Sequence, residues 1–171
     1  IPNRSATVQH QGINLDLQNE VLKQGFVYQP DPASQKVSTL GGNIGENSGG
    51  PHCLKYGVTT NHVLGMEVVL NDGSVIWTGG KTPDSAGYDI KGLLVGSEGT
   101  LGVVTKIMLK LEPAPEAVKT LLAVYDTIED GANTVSATIA EGIVPATLEM
   151  MDNIVMRAVE ESIHVGYPLD A

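Results

Sequence analysis

The sequence has few of the residues that crosslink a protein covalently or anchor it in a membrane. Cys53 is the single cysteine among 171 residues, so the chain forms no internal disulfide, and a reducing compartment is the default expectation. No apolar run approaches the roughly 18 residues that a membrane-spanning helix needs, and no signal peptide is visible. We therefore expect a cytoplasmic protein without a transmembrane segment.

Basic residues are scarce as well. The chain has 10 Lys and Arg against 20 Asp and Glu, a formal net charge of −10, which argues against nucleic acid as a partner. Residues 1–112 hold eight basic and ten acidic residues, whereas 113–171 hold two and ten. Seventeen of the 20 glycines also lie in the first part. We place a domain boundary near Pro113-Ala-Pro115, which divides the chain into domains 1–112 and 113–171.

Glycine is concentrated in two stretches, 41–57 and 96–102. Backbone without side chains can approach another group closely, and its exposed N–H groups can hold an anion such as a phosphate. Neither stretch contains Gly-x-Gly-x-x-Gly, and Pro51 stands where a P-loop would need lysine. A nucleotide bound here would therefore use neither a Rossmann unit nor a P-loop. A glycine-rich surface loop is the simpler alternative.

Hydrophobic periodicity predicts an α+β fold with a mixed or antiparallel sheet and flanking helices. In the first domain we expect strands and short helices on both sides of the glycine-rich loop at 41–57, with Asn14, Asp89 and either Thr59 or Thr60 as helix caps. Asn71-Asp72-Gly73 predicts a hairpin turn, and the alternation in 103–111 predicts a strand. The second domain should be a β-α-β-α unit, with strands at 118–125 and 144–151 and helices that begin after Thr127 and Asp152.

Several motifs, in order and spacing, resemble the FAD-linked oxidases of the vanillyl-alcohol-oxidase type, which have a PCMH-type FAD-binding domain. They are Pro30-Asp-Pro-Ala-Ser34, Thr39-Leu-Gly-Gly-Asn-Ile-Gly-Glu-Asn-Ser-Gly-Gly50, Pro51-His-Cys-Leu-Lys-Tyr-Gly57, Gly79-Gly-Lys81 and Gly96-Ser-Glu-Gly-Thr-Leu-Gly-Val-Val-Thr105. Within this group the chain is most similar to the D subunit of glycolate oxidase and to D-2-hydroxyacid (D-lactate) dehydrogenases. The β-α-β-α unit would then begin a ferredoxin-like cap domain.

The resemblance implies that FAD is the cofactor and that backbone and side chains of both glycine clusters contact it. The implied contacts are Pro32, Thr39, Leu40, Gly41, Gly42, Asn43, Gly45, Glu46, Asn47, Ser48, Tyr56, Gly57, Thr59, Glu98, Gly99, Gly102, Val103 and Val104. The family usually has alanine at the position of Gly45, a minor departure. Simpler interpretations also exist, since Glu98 could cap a turn and Tyr56 could be a packed aromatic.

His52, Cys53 and His62 invite a zinc hypothesis, but structural zinc takes four ligands at recognisable spacings, which these residues do not have. Cys53 has no evident base beside it and is a weak candidate for a nucleophile. We therefore predict no metal site, and the sequence assigns no catalytic residue.

The resemblance also implies that this chain is a fragment, because relatives carry an earlier FAD segment and a later substrate-binding region. The parent enzyme would oxidise a small D-2-hydroxyacid, such as glycolate or D-lactate, and pass electrons to an acceptor or to partner subunits of a glycolate oxidase complex. Those subunits could attach it peripherally to a membrane, and exposed sheet edge in 113–171 favours a homodimer. The alternatives are another enzyme of the superfamily, such as an alkyl-glycerone-phosphate synthase or a sugar-lactone oxidase, and a non-catalytic flavin-binding or interaction subunit.

Overall fold

The computed structural model describes residues 1–81 and 87–169. The chain divides into two compact units, 1–116 and 117–171, each with its own internal packing. Within the described ranges, no helix combines the length and the apolar content needed to cross a membrane. The predicted α+β class is confirmed.

The first unit is built on an antiparallel sheet of four strands in the order β1-β5-β3-β4. The predicted hairpin is present, because β3 and β4 flank the Asn71-Asp72-Gly73 turn, and β5 alternates as expected. A short pair, β2 with β6, lies apart from this sheet. The strands are β1 (Ser5–Gln9), β2 (Phe26–Val27), β3 (Val63–Val69), β4 (Val75–Gly79), β5 (Val103–Lys110) and β6 (Glu112–Pro113).

Four short α-helices and two 3₁₀ turns complete this unit. They are the 3₁₀ turns Pro2–Arg4 and Thr59–Asn61, and the helices α1 (Asn14–Leu22), α2 (Leu40–Glu46), α3 (Cys53–Tyr56) and α4 (Ile90–Leu94). Asp89 caps α4 as predicted, by accepting a hydrogen bond from the N–H of Gly92.

Two other predicted caps are wrong. The N-cap of α1 is Ile13, because the Asn14 side chain is buried and donates to the carbonyl of Pro30 at 3.1 Å. The N-cap of the second 3₁₀ turn is Val58, because the Thr59 hydroxyl donates to the carbonyl of Ser48 at 2.7 Å. In both cases a contact distant in sequence uses the group that would have capped the helix.

The first glycine cluster is not a loop throughout, since its first six residues, 41–46, belong to helix α2. Thr39 caps this helix by accepting from the N–H of Gly42 at 3.0 Å. Leu40 and Ile44, one helical turn apart, are both buried. Capping and apolar burial therefore overcome the low helix propensity of the glycines, which costs about 1 kcal/mol each relative to alanine.

The core of the first unit lies between the sheet and its helices. Met66 and Val68 of β3 and Ile107 and Leu109 of β5 are completely buried there. His62 lies at the start of β3 and is almost completely buried. The edge of its ring meets Tyr28 at a centroid separation of 6.1 Å.

In the second unit, the two predicted helices are present as α5 (Ile128–Ala140) and α6 (Asn153–Ile163), capped by Thr127 and Asp152 as expected. The two predicted strands are wrong, because neither 118–125 nor 144–151 forms a ladder. A strand needs a hydrogen-bonded neighbour, and these segments instead lie on α5, where a Cβ on Gly131 would be 3.3 Å from Met150 and 3.6 Å from Tyr125. The exposed strand edge on which we based the homodimer is therefore absent from the described part of this unit.

The burial of His62 predicts a pH dependence of stability. Burial lowers the pKa of this imidazole below its ordinary value of 6.5, although Nε2 donates a hydrogen bond to the carbonyl of Tyr56 at 2.9 Å. The unfolded chain takes up a proton below pH 6.5 while the folded state resists it, so the free energy of unfolding should fall as the pH drops from 7.5 to 5.5. Urea unfolding followed by the fluorescence of Trp77, the only tryptophan, measures this.

The matched variants for that measurement are His62→Gln and His164→Gln, the latter at an exposed position. His62→Gln should flatten the pH dependence, whereas His164→Gln should leave it unchanged. Equal flattening in both variants would contradict the assignment to His62.

Candidate functional site

The two glycine clusters, 55 positions apart from Gly41 to Gly96, meet at the C-terminal end of α2. The N–H of Gly96 donates to the carbonyl of Ile44 at 2.8 Å, and the N–H of Glu98 donates to the carbonyl of Gly45 at 3.0 Å. We call this contact the glycine junction, comprising residues 44–47 and 96–99. It joins the two glycine-rich stretches of the sequence through backbone hydrogen bonds.

The glycine junction has an unusual backbone. Asn47, Gly96, Glu98 and Gly99 all have φ between 51° and 83°, the left-handed region that residues other than glycine seldom occupy. Asn47 ends α2 in this conformation, while Glu98 adopts it in a turn between two glycines. Only Glu98 is strained by this, because glycine adopts the region freely and asparagine is a common left-handed helix cap. Such strain persists only where surrounding contacts impose it, and it occurs often at ligand-binding sites.

The first turn of α2 offers no free N–H groups to an anion such as a phosphate. The N–H groups of Leu40 and Gly41 donate to the carbonyls of Gly12 and His10, and those of Gly42 and Asn43 donate to Thr39. These N–H groups are paired because α2 docks tightly on the segment after β1. A Cβ on Gly41 would be only 2.9 Å from the Cβ of His10, so this glycine serves close packing.

Donors remain available beyond the end of α2. No described residue accepts a hydrogen bond from the N–H of Gly49 or Gly99. A Cβ on Gly45 or Gly99 would meet no atom closer than 3.9 Å, so both positions leave open space beside the backbone. Open glycine surface with unpaired N–H groups fits a cofactor that lies against backbone and accepts hydrogen bonds, as the polar edge of a flavin ring does.

The charge at the glycine junction limits which part of such a cofactor it can hold. Glu46 and Glu98 are both exposed there, and none of the predicted contact residues is basic. Carboxylates repel a pyrophosphate, so the junction suits an uncharged part of a dinucleotide.

Several predicted contact residues face the protein interior. Asn43 is buried, and its amide donates to the Asn14 side chain at 3.0 Å, which in turn donates to Pro30. Leu40, Thr59 and Pro32 are buried as well. These four predicted contact residues support the site from beneath, and direct contact between their side chains and a cofactor stays a prediction.

The stretch from Ser48 to Thr59 folds back on itself. The carbonyl of Ser48 accepts both the N–H and the hydroxyl of Thr59, and the side chain of Asn47 accepts the N–H of Thr60. Tyr56 is half-buried, with the ammonium of Lys55 5.2 Å from its ring centroid.

The last predicted contacts lie where the second cluster enters β5. A Cβ on Gly102 would be 2.6 Å from a methyl carbon of Val68 and 3.0 Å from the carbonyl oxygen of Val69, so β5 can approach β3 only with glycine there. Val103 is exposed and Val104 half-buried, which leaves the start of this strand accessible.

Sequence analysis missed three residues that hold the site: His10, Asn14 and Asp31. His10 contacts Gly41, Asn14 bonds Asn43, and Asp31 accepts from Nδ1 of His52 at 2.7 Å. None has a local signal, because each acts on a partner distant in sequence. Among the described residues, no three or more His, Cys, Asp or Glu side chains converge as metal ligands would.

Two family models match the chain. The FAD binding domain covers residues 2–79, and the C-terminal domain of the FAD linked oxidases covers residues 114–171. The chain belongs to the FAD-linked oxidases. FAD is the cofactor of this family, and the residues at the glycine junction fit it on the grounds given above.

Curated relatives of this chain include two glycolate oxidase subunits named GlcD. The protein of Bacillus subtilis (strain 168) is 53% identical over 99% of this chain and 36% of its own length. The protein of Escherichia coli (strain K12) is 46% identical over 98% and 34%. A D-lactate dehydrogenase of Anaerostipes hadrus is 40% identical over 85% and 31%. The chain thus spans about a third of the length of these relatives.

A solved structure of alkyldihydroxyacetonephosphate synthase is similar to this chain. Its TM-score is 0.80 at 25% identity, over 92% of this chain and 30% of that one.

Two glycines of α2 make a matched pair that tests the close packing of this helix. A Cβ on Gly41 would collide with His10, whereas a Cβ on Gly45 would lie 3.9 Å from Glu98. We expect Gly41→Ala to destabilise the apoprotein by about 1–3 kcal/mol through overpacking. Gly45→Ala should stabilise it by about 1 kcal/mol, because alanine favours helix. Urea unfolding followed by Trp77 fluorescence measures both, and shifts of the same sign would contradict the packing at Gly41.

Proposed function

We propose that this chain is the FAD-binding part of an oxidoreductase that converts a small D-2-hydroxyacid, of the glycolate or D-lactate type, into the 2-oxoacid. The observation that carries the proposal is the glycine junction, where the open backbone of Gly45 and Gly99 adjoins the unpaired N–H of Gly99, with a second unpaired N–H at Gly49 after the junction in sequence. Support also comes from the names of the relatives, which are 40–53% identical to this chain.

Bound FAD would be the oxidant and would accept a hydride, two electrons and one proton, from the C–H bond of the hydroxyacid, while the hydroxyl proton is released to solvent as the C=O bond forms. The residues of this chain would hold and orient the flavin. We assign direct backbone contact to Gly45, Gly49 and Gly99, whose outer faces or N–H groups are open. Asn43 and Thr59 would fix that backbone from the interior. The domains 1–112 and 113–171 would contribute the FAD site and part of the cap, respectively.

The partners and the location are also proposals. Both GlcD relatives are named as subunits, which supports a complex in which partner subunits or another acceptor receive the electrons. We propose a cytoplasmic protein that meets a membrane only through such partners. A homodimer stays a prediction, now without the strand edge that motivated it.

A second candidate is an enzyme of the alkyldihydroxyacetonephosphate synthase type, which the structural similarity favours. The two candidates differ in whether a hydroxyacid reduces the flavin. In the whole protein under anaerobic conditions, glycolate or D-lactate should bleach the oxidised flavin band and then reduce an added dye. L-lactate is the matched control. A flavoprotein that none of the three bleaches would contradict hydroxyacid oxidation and favour the synthase or a non-catalytic subunit.

Substitution of Gly42 tests whether α2 belongs to the FAD site. Gly42 is exposed, and a Cβ would be 3.1 Å from the Thr39 hydroxyl that caps the helix. In the whole protein, Gly42→Val should abolish the FAD that remains after desalting, because a branched side chain disturbs the cap and covers the open helix face. The matched control is Gly80→Val, where a Cβ meets nothing within 4 Å. An absorbance spectrum measures retention, and stoichiometric flavin in Gly42→Val would count against this site.

A further inference from the structure

The motif Pro30-Asp31-Pro32, which lies outside both glycine clusters in sequence, contacts the residues that follow Ser48. The Asp31 carboxylate accepts a hydrogen bond from Nδ1 of His52 at 2.7 Å, and the side chains of Asp31 and His52 are 20% and 37% exposed. Pro30 and Pro32 are both buried, and each fixes its own φ, so the backbone on either side of Asp31 is constrained. Asp31 is therefore a rigid anchor and His52 the group that it holds.

Gly50 fits directly against this anchor. A Cβ at Gly50 would be 2.6 Å from both the carbonyl oxygen and the Oδ1 of Asp31, so only glycine allows this approach. Oδ1 is buried, and no described N–H or O–H group donates to it. The backbone of Gly50 therefore packs directly against Asp31 on the side where a side chain would stand. One carboxylate oxygen faces Gly50, and the other accepts the hydrogen bond from His52.

Gly50, which Asp31 contacts, directly follows Gly49, one of the proposed FAD contacts. Gly49, whose N–H has no described acceptor, lies between Ser48 and Gly50. Ser48 is fixed on one side through Thr59, and Gly50 on the other through Asp31 and through its N–H, which donates to Sγ of Cys53 at 2.8 Å. The direction of the Gly49 N–H therefore depends on both attachments.

We propose that Asp31 and His52 are positioning residues, which act through Gly50 to hold the N–H of Gly49 in the orientation that binds FAD. This inference rests on the proposed function, because it assigns the pair a purpose in cofactor binding. It differs from a stabilising role, since its effect should be confined to the segment 48–56 and to FAD affinity.

The test uses the whole protein with the variants Asp31→Ala, His52→Ala and the double variant. Peptide-level hydrogen exchange of the apoprotein reports the segment 48–56, and quenching of flavin fluorescence reports the Kd for FAD. Each single variant should accelerate exchange in 48–56 only and raise the Kd about tenfold, the usual effect of removing a hydrogen bond to a charged group. The double variant should add little, because both residues act through one contact.

Two further variants separate positioning from general stability. His52→Asn keeps a donor near the place of Nδ1 and should return the Kd to within about threefold of wild type. Lys106→Ala breaks a different side-chain contact of this unit, the ion pair with Glu67 at 2.9 Å on the sheet, and should change neither exchange in 48–56 nor the Kd.

Three outcomes would overturn the proposal. Uniformly faster exchange with an unchanged Kd would assign the pair to general stability. Faster exchange confined to 48–56 with an unchanged Kd would leave the proposed function intact and remove the link to FAD. A wild-type protein that binds no FAD would overturn both the link and the proposed function.

Discussion

Two backbone hydrogen bonds, from Gly96 to Ile44 and from Glu98 to Gly45, bring together everything that makes this chain a candidate flavin site. They form because α2 ends at Glu46 and leaves its last carbonyls without partners inside the helix. A turn with three left-handed residues, Gly96, Glu98 and Gly99, supplies a donor to Gly45 and a second donor to Ile44, which also accepts from the N–H of Asn47. The C-terminal end of α2 is thereby joined to the segment that leads into β5.

This arrangement divides the glycines into three kinds. Gly41, Gly50 and Gly102 permit close packing, because a Cβ would collide with His10, Asp31 and Val68 respectively. Gly96 and Gly99 permit left-handed backbone. Gly45 has neither constraint, which agrees with the alanine that the resembled family carries there. Glycine content alone therefore does not identify contact with a cofactor, and the open space around each glycine is the more informative property.

Local signals predicted much of the fold. The Asn71-Asp72-Gly73 turn, the alternation in β5 and the caps Asp89, Thr127 and Asp152 all act within a few residues, so the sequence indicates them directly. Helix α2 was not predicted because the high glycine content of this stretch indicated a loop. The helix-favouring signals were the cap at Thr39 and the apolar pair Leu40 and Ile44, one turn apart. The strands expected at 118–125 and 144–151 failed for another reason, since alternation indicates a face that can be buried, whereas a strand also needs a paired neighbour.

The sequence predicted which segments form the candidate site, but not which of their residues face the cofactor and which support the site from the interior. Resemblance selected Asn43 and Thr59 together with Gly45 and Gly99, although the first two face inward and the last two face open space. Contacts distant in sequence decide between these roles, and Asp31 illustrates the point. Its sequence neighbours, two prolines, indicate only an extended chain, yet its carboxylate meets His52 and excludes any side chain at Gly50. A residue outside the glycine clusters thus controls the backbone within one of them.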